Sequence, residues 1–165
     1  MHHQPSQANN GRSAREFAQL DPGVEDRDLR IEIFAVCDGA VEQDGRLSLV
    51  GTYETVFAPM FPFVIAQMTV VLRLRFWPGE QRRHSVRLAL TSPDGQRVGA
   101  AMEGDVTLQP ADDERSTAYN LISYARNARI DEPGEYTFDF HLDGRLEGRL
   151  PICVRRRAVS GSGVS

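Results

Sequence analysis

The chain has 165 residues, 41% of them hydrophobic and 25% charged, with a net charge of −4. That is sequence enough for one domain that hides roughly two-thirds of its unfolded surface, and the acidic balance gives no electrostatic reason to expect nucleic acid or an anionic membrane as a partner. All 19 basic residues are arginine, which excludes a lysine Schiff base, a pyridoxal-phosphate anchor and the lysine of a Walker A loop.

Met1 to Asp28 is polar, low in periodicity and without a signal-peptide core, and reads as a disordered arm. His2 and His3 do not make a metal site. Leu29 to Cys37 predicts the first strand, with apolar residues on both faces, as in a covered position. Asp44-Gly45 turns the chain into a second strand, Arg46 to Phe57. Ala58 to Phe63 holds two prolines, Pro59 and Pro62, and is not a regular central strand. Met68 to Phe76 alternates, with Val70, Leu72, Leu74 and Phe76 inward and Val71, Arg73 and Arg75 outward.

Pro78-Gly79 ends that strand, and His84 to Thr91 follows with Val86, Leu88 and Leu90 inward. Ser92-Pro93-Asp94-Gly95 has the residue types of a type I turn. Gln96 to Leu108 is a weaker strand in which Gly99 and Gly104 mark a bulge or bend. Thr117 to Tyr124 is a further strand, and Ala125 to Arg129 fits either its continuation or a helical turn. Glu132-Pro133-Gly134 turns into Tyr136, Phe138, Phe140 and Leu142. Asp143-Gly144 has the residues of a type I′ hairpin, and Leu146, Leu150, Ile152 and Val154 carry the return strand.

About eight short strands at regular spacing predict an all-β fold, an antiparallel immunoglobulin-like β-sandwich, with a closed barrel as the alternative. The domain runs over 29–157, after an arm at 1–28 and before a flexible Gly/Ser tail at 158–165. Two cysteines, Cys37 and Cys153, are too few for a disulfide scaffold. With no apolar run of about 20 residues to span a membrane, the default compartment is a reducing cytoplasm.

Pro133-Gly134-Glu135-Tyr136 resembles the tyrosine corner of immunoglobulin-like sandwiches, in which the phenol caps the turn before it. A second resemblance rests on a series of motifs in one order. These are Cys37-Asp38, Asp44-Gly45-Arg46-Leu47-Ser48-Leu49-Val50-Gly51, Pro59 to Pro62, Pro93-Asp94-Gly95, Asn120-Leu121 and Glu132 to Tyr136. The series resembles an uncharacterised bacterial family of small domains of unknown function over Leu29 to Val154. The resemblance implies a compact β-sandwich and supplies no activity or catalytic residue.

His84 and His141 have no partner at metal-ligand spacing, and neither a nucleophile elbow nor a phosphate loop is present. No catalytic residue and no cofactor is implied. If successive strands reverse direction, one pole of the sandwich collects Asp38, Asp44, Asp112, Asp113, Glu114 and Asp143. There they are either solvated turn residues or oxygen ligands for a calcium-type cation serving a metal-dependent binder or enzyme. The opposite pole carries Met60, Phe61, Phe63, Val64 and Ile65 in a connection that is apolar where a loop crossing water is polar. These side chains either plug the end of the core or form a contact surface for a protein partner or a second copy. The leading function on these grounds is a non-catalytic binding or protein-interaction module.

Overall fold

Alternating apolar side chains broken by Gly and Pro leave this chain little besides strands. A computed structural model describes residues 29–79, 83–108 and 116–158. The expected arm lies outside the described residues, as does the expected tail beyond Ala158. The described strands are β1 (Leu29–Gln43), β2 (Arg46–Thr52), β3 (Thr55–Ala58), β4 (Phe63–Phe76), β5 (Arg83–Thr91), β6 (Arg97–Thr107), β7 (Thr117–Ile130), β8 (Gly134–Leu142) and β9 (Arg145–Arg156). One sheet has the order β2-β1-β4-β7 and the other β3-β9-β8-β5-β6. The protein is an all-β sandwich.

The expected second strand, Arg46 to Phe57, is two strands. β2 ends at Thr52, the chain crosses between sheets at Tyr53 and Glu54, and β3 joins the other sheet. It lies parallel to β9, with Thr55 opposite Cys153 and Ala58 opposite Arg156, where antiparallel pairing was expected. The change of sheet is the reason, because it brings β3 to β9 without a reversal of direction. Ala125 to Arg129 is strand and not a helical turn: Met68 faces Ala125 and Val64 faces Arg129 across a ladder running the length of β4.

Val70, Leu72, Leu74 and Phe76 of β4 share one core with Leu88 and Leu90 of β5, Phe138 and Phe140 of β8, and Ile152 and Val154 of β9. The turns are those their residue types call for. Gly95 N donates to Ser92 O (2.9 Å). Gly99 (φ 71°) sits where the β5–β6 register shifts. Tyr136, 2% exposed, donates from Oη to Glu132 O (2.9 Å), closing the tyrosine corner. Asp143 and Gly144 take φ of 49° and 79°, the type I′ geometry.

β1 outruns its partner. It pairs with β4 from Leu29 opposite Phe76 to Cys37 opposite Thr69, and from there to Gln43 it pairs with β2 alone. Gly51 (φ 64°) lies against the Asp38 carboxylate, with which a Cβ at that position would collide. Past this point the hairpin crosses the outer face of its own sheet. Asn120 of β7, two strands from β1, donates from Nδ2 to Gly45 O at the hairpin tip (3.4 Å). Arg73 Nη1 in turn donates to Asn120 Oδ1 (2.8 Å), and Arg73 and Arg75 both engage Glu32. The Arg75 hydrogen bond leads in holding the Glu32 carboxyl below its usual range.

The crossing corrects one expectation. Val71 was read as facing solvent, yet it is fully buried, as are Cys37 and Thr69 on the same face. Alternation places a side chain on a face, and the overlying hairpin decides whether that face meets water.

Two outcomes test this account. Gly144→Val is expected to destabilise the fold by about 1 kcal/mol or more, because a β-branched residue resists positive φ; unchanged denaturant unfolding would refute the turn geometry. Asn120→Ala is expected to cost about 0.5–1.5 kcal/mol, the worth of an ordinary hydrogen bond, and to speed amide exchange over 40–49 with core amides unaffected. Unaltered exchange there would show that this bond does not hold the tip.

Candidate functional site

The departure of β1 leaves Phe63 to Gln67 of β4 paired with β7 alone. Nearby, β3 is the edge of the other sheet and pairs only with β9. Between the two strands lies a cavity of about 410 Å³. Thr55 and Val56 line it from β3, Phe63 to Ala66 from β4, Asp38 from β1, and Tyr53 from the crossing between sheets. Its volume falls in the range of roughly 300–1,000 Å³ that ligand pockets occupy.

The apolar connection predicted as a patch divides by burial. Met60 is 65% exposed and Val64 52%, and Phe57 just before them is 53% exposed. Phe61 and Phe63 pack against the core, and Ile65 is buried within it. The Arg156 guanidinium lies over the Phe61 ring, 5.8 Å from its centroid, a cation–π contact. Phe61, Phe63 and Ile65 therefore close the end of the sandwich, and Phe57, Met60 and Val64 face outward. The sequence reading missed Phe57, which appeared to belong to a longer strand; its exposure follows from the short edge strand that replaces it.

Asp38 is the charged side chain among those lining the cavity, and no hydrogen bond or ion pair among the described residues engages its carboxylate. Its field is felt by its neighbours. Burial, and after it Asp38, pushes the Tyr53 phenol up. Burial also pushes the Cys37 thiol up, and Asp38 adds to this against an opposing backbone hydrogen bond at Gly39. A thiol so placed stays protonated at neutral pH and is a poor nucleophile.

Of the acidic residues expected to share a pole, the described ones, Asp38, Asp44 and Asp143, lie in separate surroundings. Asp38 lines the cavity with Phe63 and Val64. Asp44 rides at the hairpin tip beside Gly45, which Asn120 holds over the sheet face. Asp143 pairs with His84. The bend in the hairpin is the cause, because it carries the turn after β1 off the pole to which strand alternation assigned it. Asp112, Asp113 and Glu114 lie outside the described residues. Among the described residues no three His, Cys, Asp or Glu side chains come together as metal ligands do.

A histidine–carboxylate pair lies at the β8–β9 turn. His84, 6% exposed, stacks on Phe76 with ring centroids 5.0 Å apart. Its Nδ1 lies 2.7 Å from Asp143 Oδ2, and Ser85 N donates to Asp143 Oδ1 (2.8 Å). Ser85 Oγ also reaches that carboxylate, at 3.4 Å. Ser, His and Asp are thus adjacent, but both Ser85 and His84 bond to the carboxylate. In a catalytic triad the imidazole stands between the other two. The far nitrogen, His84 Nε2, is buried without a partner, so no substrate proton is within its reach. Beside this pair a cavity of about 500 Å³ is lined by Arg87, Glu103, Asp105 and His141, among others. Its charges are paired, with Arg87 to Glu103 at 3.2 Å and Arg83 to Asp105 at 2.6 Å. Buried His84 and the partly exposed Asp143 form a strut that fixes the turn.

Two packed sheets with a tyrosine corner at the β7–β8 turn define an all-β sandwich protein. A family model matches residues 32–155, and the chain belongs to that family, DUF6941, a family of unknown function. The match takes in every motif on which the resemblance to an uncharacterised domain family rested. No curated protein matches the chain.

Two measurements check the division of roles. Phe61→Ser is expected to lower stability by about 1–3 kcal/mol and Met60→Ser to change it by less than about 0.5 kcal/mol; equal losses would contradict the assignment of plug and rim. Asp143 provides the second. Burial alone raises its pKa, but the hydrogen bonds from His84 and Ser85 N outweigh that and hold the carboxyl below its usual range. A depressed carboxyl stabilises the fold fully above its unfolded value of about 3.9 and ceases to do so as pH falls through the folded value. The melting-temperature gap between wild type and Asp143→Asn should therefore narrow below about pH 4. A gap that does not change on acidification would show that the charge contributes nothing.

Proposed function

We propose that this domain is a non-catalytic protein-interaction module whose contact region is the open end of the sandwich between β3 and β4. The observation that carries the reading is the grouping of Phe57, Met60 and Val64, all more than half exposed, around the β3–β4 connection. Large apolar side chains at the rim of a cleft favour a partner, since burying one is worth roughly 1.5–3 kcal/mol. Phe61, Phe63 and Ile65 support the surface from beneath. Pro59 and Pro62 restrict the connection, so less conformational entropy is lost on docking. The two free cysteines, Cys37 and Cys153, support a reducing, cytoplasmic setting for that partner.

The reading is tested by Phe57→Ser, Met60→Ser and Val64→Ser combined in one chain. The variant is expected to keep its melting temperature within a few degrees and to lose a purified protein partner that wild type captures, or to lose self-association in sedimentation. A variant that folds and keeps every interaction of the wild type would overturn the proposal.

A further inference from the structure

We propose that the occupant of the cleft is an extended segment of a partner protein that adds as a strand beside β3 or β4 and delivers a basic side chain to Asp38. The inference rests on the interaction-module reading and names the partner's chemistry. Its shape follows from the edges. Cys153 N donates to Glu54 O and Arg157 N to Ala58 O, both at 2.8 Å. In a parallel ladder the residues between these, Thr55 and Phe57, direct their N–H and C=O groups away from β9. The facing stretch of β4, Phe63 to Gln67, pairs with β7 and has no strand on its other side. Two strand edges thus flank the cleft. An extended chain satisfies such groups from its own backbone, whereas a helix has already spent its backbone donors and acceptors internally.

The charge follows from the lining. The walls are apolar or uncharged apart from Asp38, whose carboxylate has no hydrogen bond or ion pair among the described residues. Tyr53, kept neutral by burial and by Asp38, supplies a phenol beside it. An open apolar groove with an exposed, unpaired carboxylate at its mouth suits an arginine or lysine, with the aliphatic stem along the walls and the cation at Asp38. It repels a phosphate or an acidic peptide. Gly51 keeps the carboxylate where it is, because a Cβ there would displace it.

The probe is a phage-displayed library of random linear 12-residue peptides, panned on the full chain, with the best peptide synthesised and titrated by fluorescence anisotropy. Enriched peptides are expected to carry an Arg or Lys flanked by β-branched residues. Asp38→Asn is expected to weaken binding at least 10-fold with an unchanged melting temperature, as is replacing the basic residue of the peptide by Gln. Binding of the doubly changed pair is expected to be no weaker than that of either single change. Enriched peptides without a basic residue, or full affinity for Asp38→Asn, would overturn the proposal. If such peptides still fail on Val64→Ser, the contact surface stands and only the partner's chemistry is wrong. No enrichment at all overturns the extended segment, and the rim variants above then decide the surface alone. A dimer in sedimentation that Asp38→Asn dissociates would make a second copy the occupant and likewise reject the proposal.

Discussion

The architecture depends on a mismatch of length. β1 continues past the point where β4 can pair with it, and the surplus, with β2, has to go elsewhere. A free two-stranded ribbon is marginally stable in water, so the surplus is stable only where it can pack. Gly51, at positive φ and without a Cβ to meet the Asp38 carboxylate, allows the bend, and the outer face of the sheet provides the seat. Three consequences follow from that one geometry. Val71 and Thr69 lose contact with water, the near end of β4 is left with a bare edge, and Asp38 stands exposed at the mouth of a cavity and not in the turn after β1.

The two outer faces of the sandwich accordingly differ. That of the five-stranded sheet carries cross-strand ion pairs, with Arg87 against Glu103, Arg83 against Asp105 and Arg149 against Asp139. Exposed pairs of this kind contribute little stability each; their effect is to make the face unattractive to other chains. The four-stranded sheet covers part of its outer face with its own hairpin, whose tip is held by Asn120, itself bonded to the Arg73 of the Glu32–Arg73–Arg75 group. The open end between β3 and β4 has neither cross-strand ion pairs among the described residues nor a covering hairpin, and uncovered strand edges of this kind are where chains can pair.

The sequence was informative where a local rule acts alone. Alternation in Tyr136 to Leu142, the Asp143-Gly144 dipeptide and the corner tyrosine each specify their geometry within a few residues, and the structure agrees with all three. The family resemblance rested on similar local motifs and holds over the same region. What could not be read were outcomes decided by distant parts of the chain. Thr52 to Thr55 has no Gly-Pro signal strong enough to announce a change of sheet. Val71 looks like any outward residue until a hairpin tip from Gly45 is known to lie above it. Asp38 and Asp44 part from Asp143 for the same reason, since counting reversals assumes straight strands. Within the candidate site, apolar composition identified the connection from Met60 to Ile65 as unusual, but only packing could separate Phe61 and Phe63 from Met60 and Val64.

The parallel pairing of β3 with β9 has a temporal side. Thr55 meets Cys153 across roughly a hundred residues of sequence. At a synthesis rate of about 5–20 residues per second, the ribosome needs several seconds after making β3 before the strand that anchors it exists. Until then one wall of the cleft is a loose segment carrying Phe57, and the open end cannot present a shaped surface. Completion of β9 therefore completes the cleft as well as the sheet, because β3 pairs with no other strand.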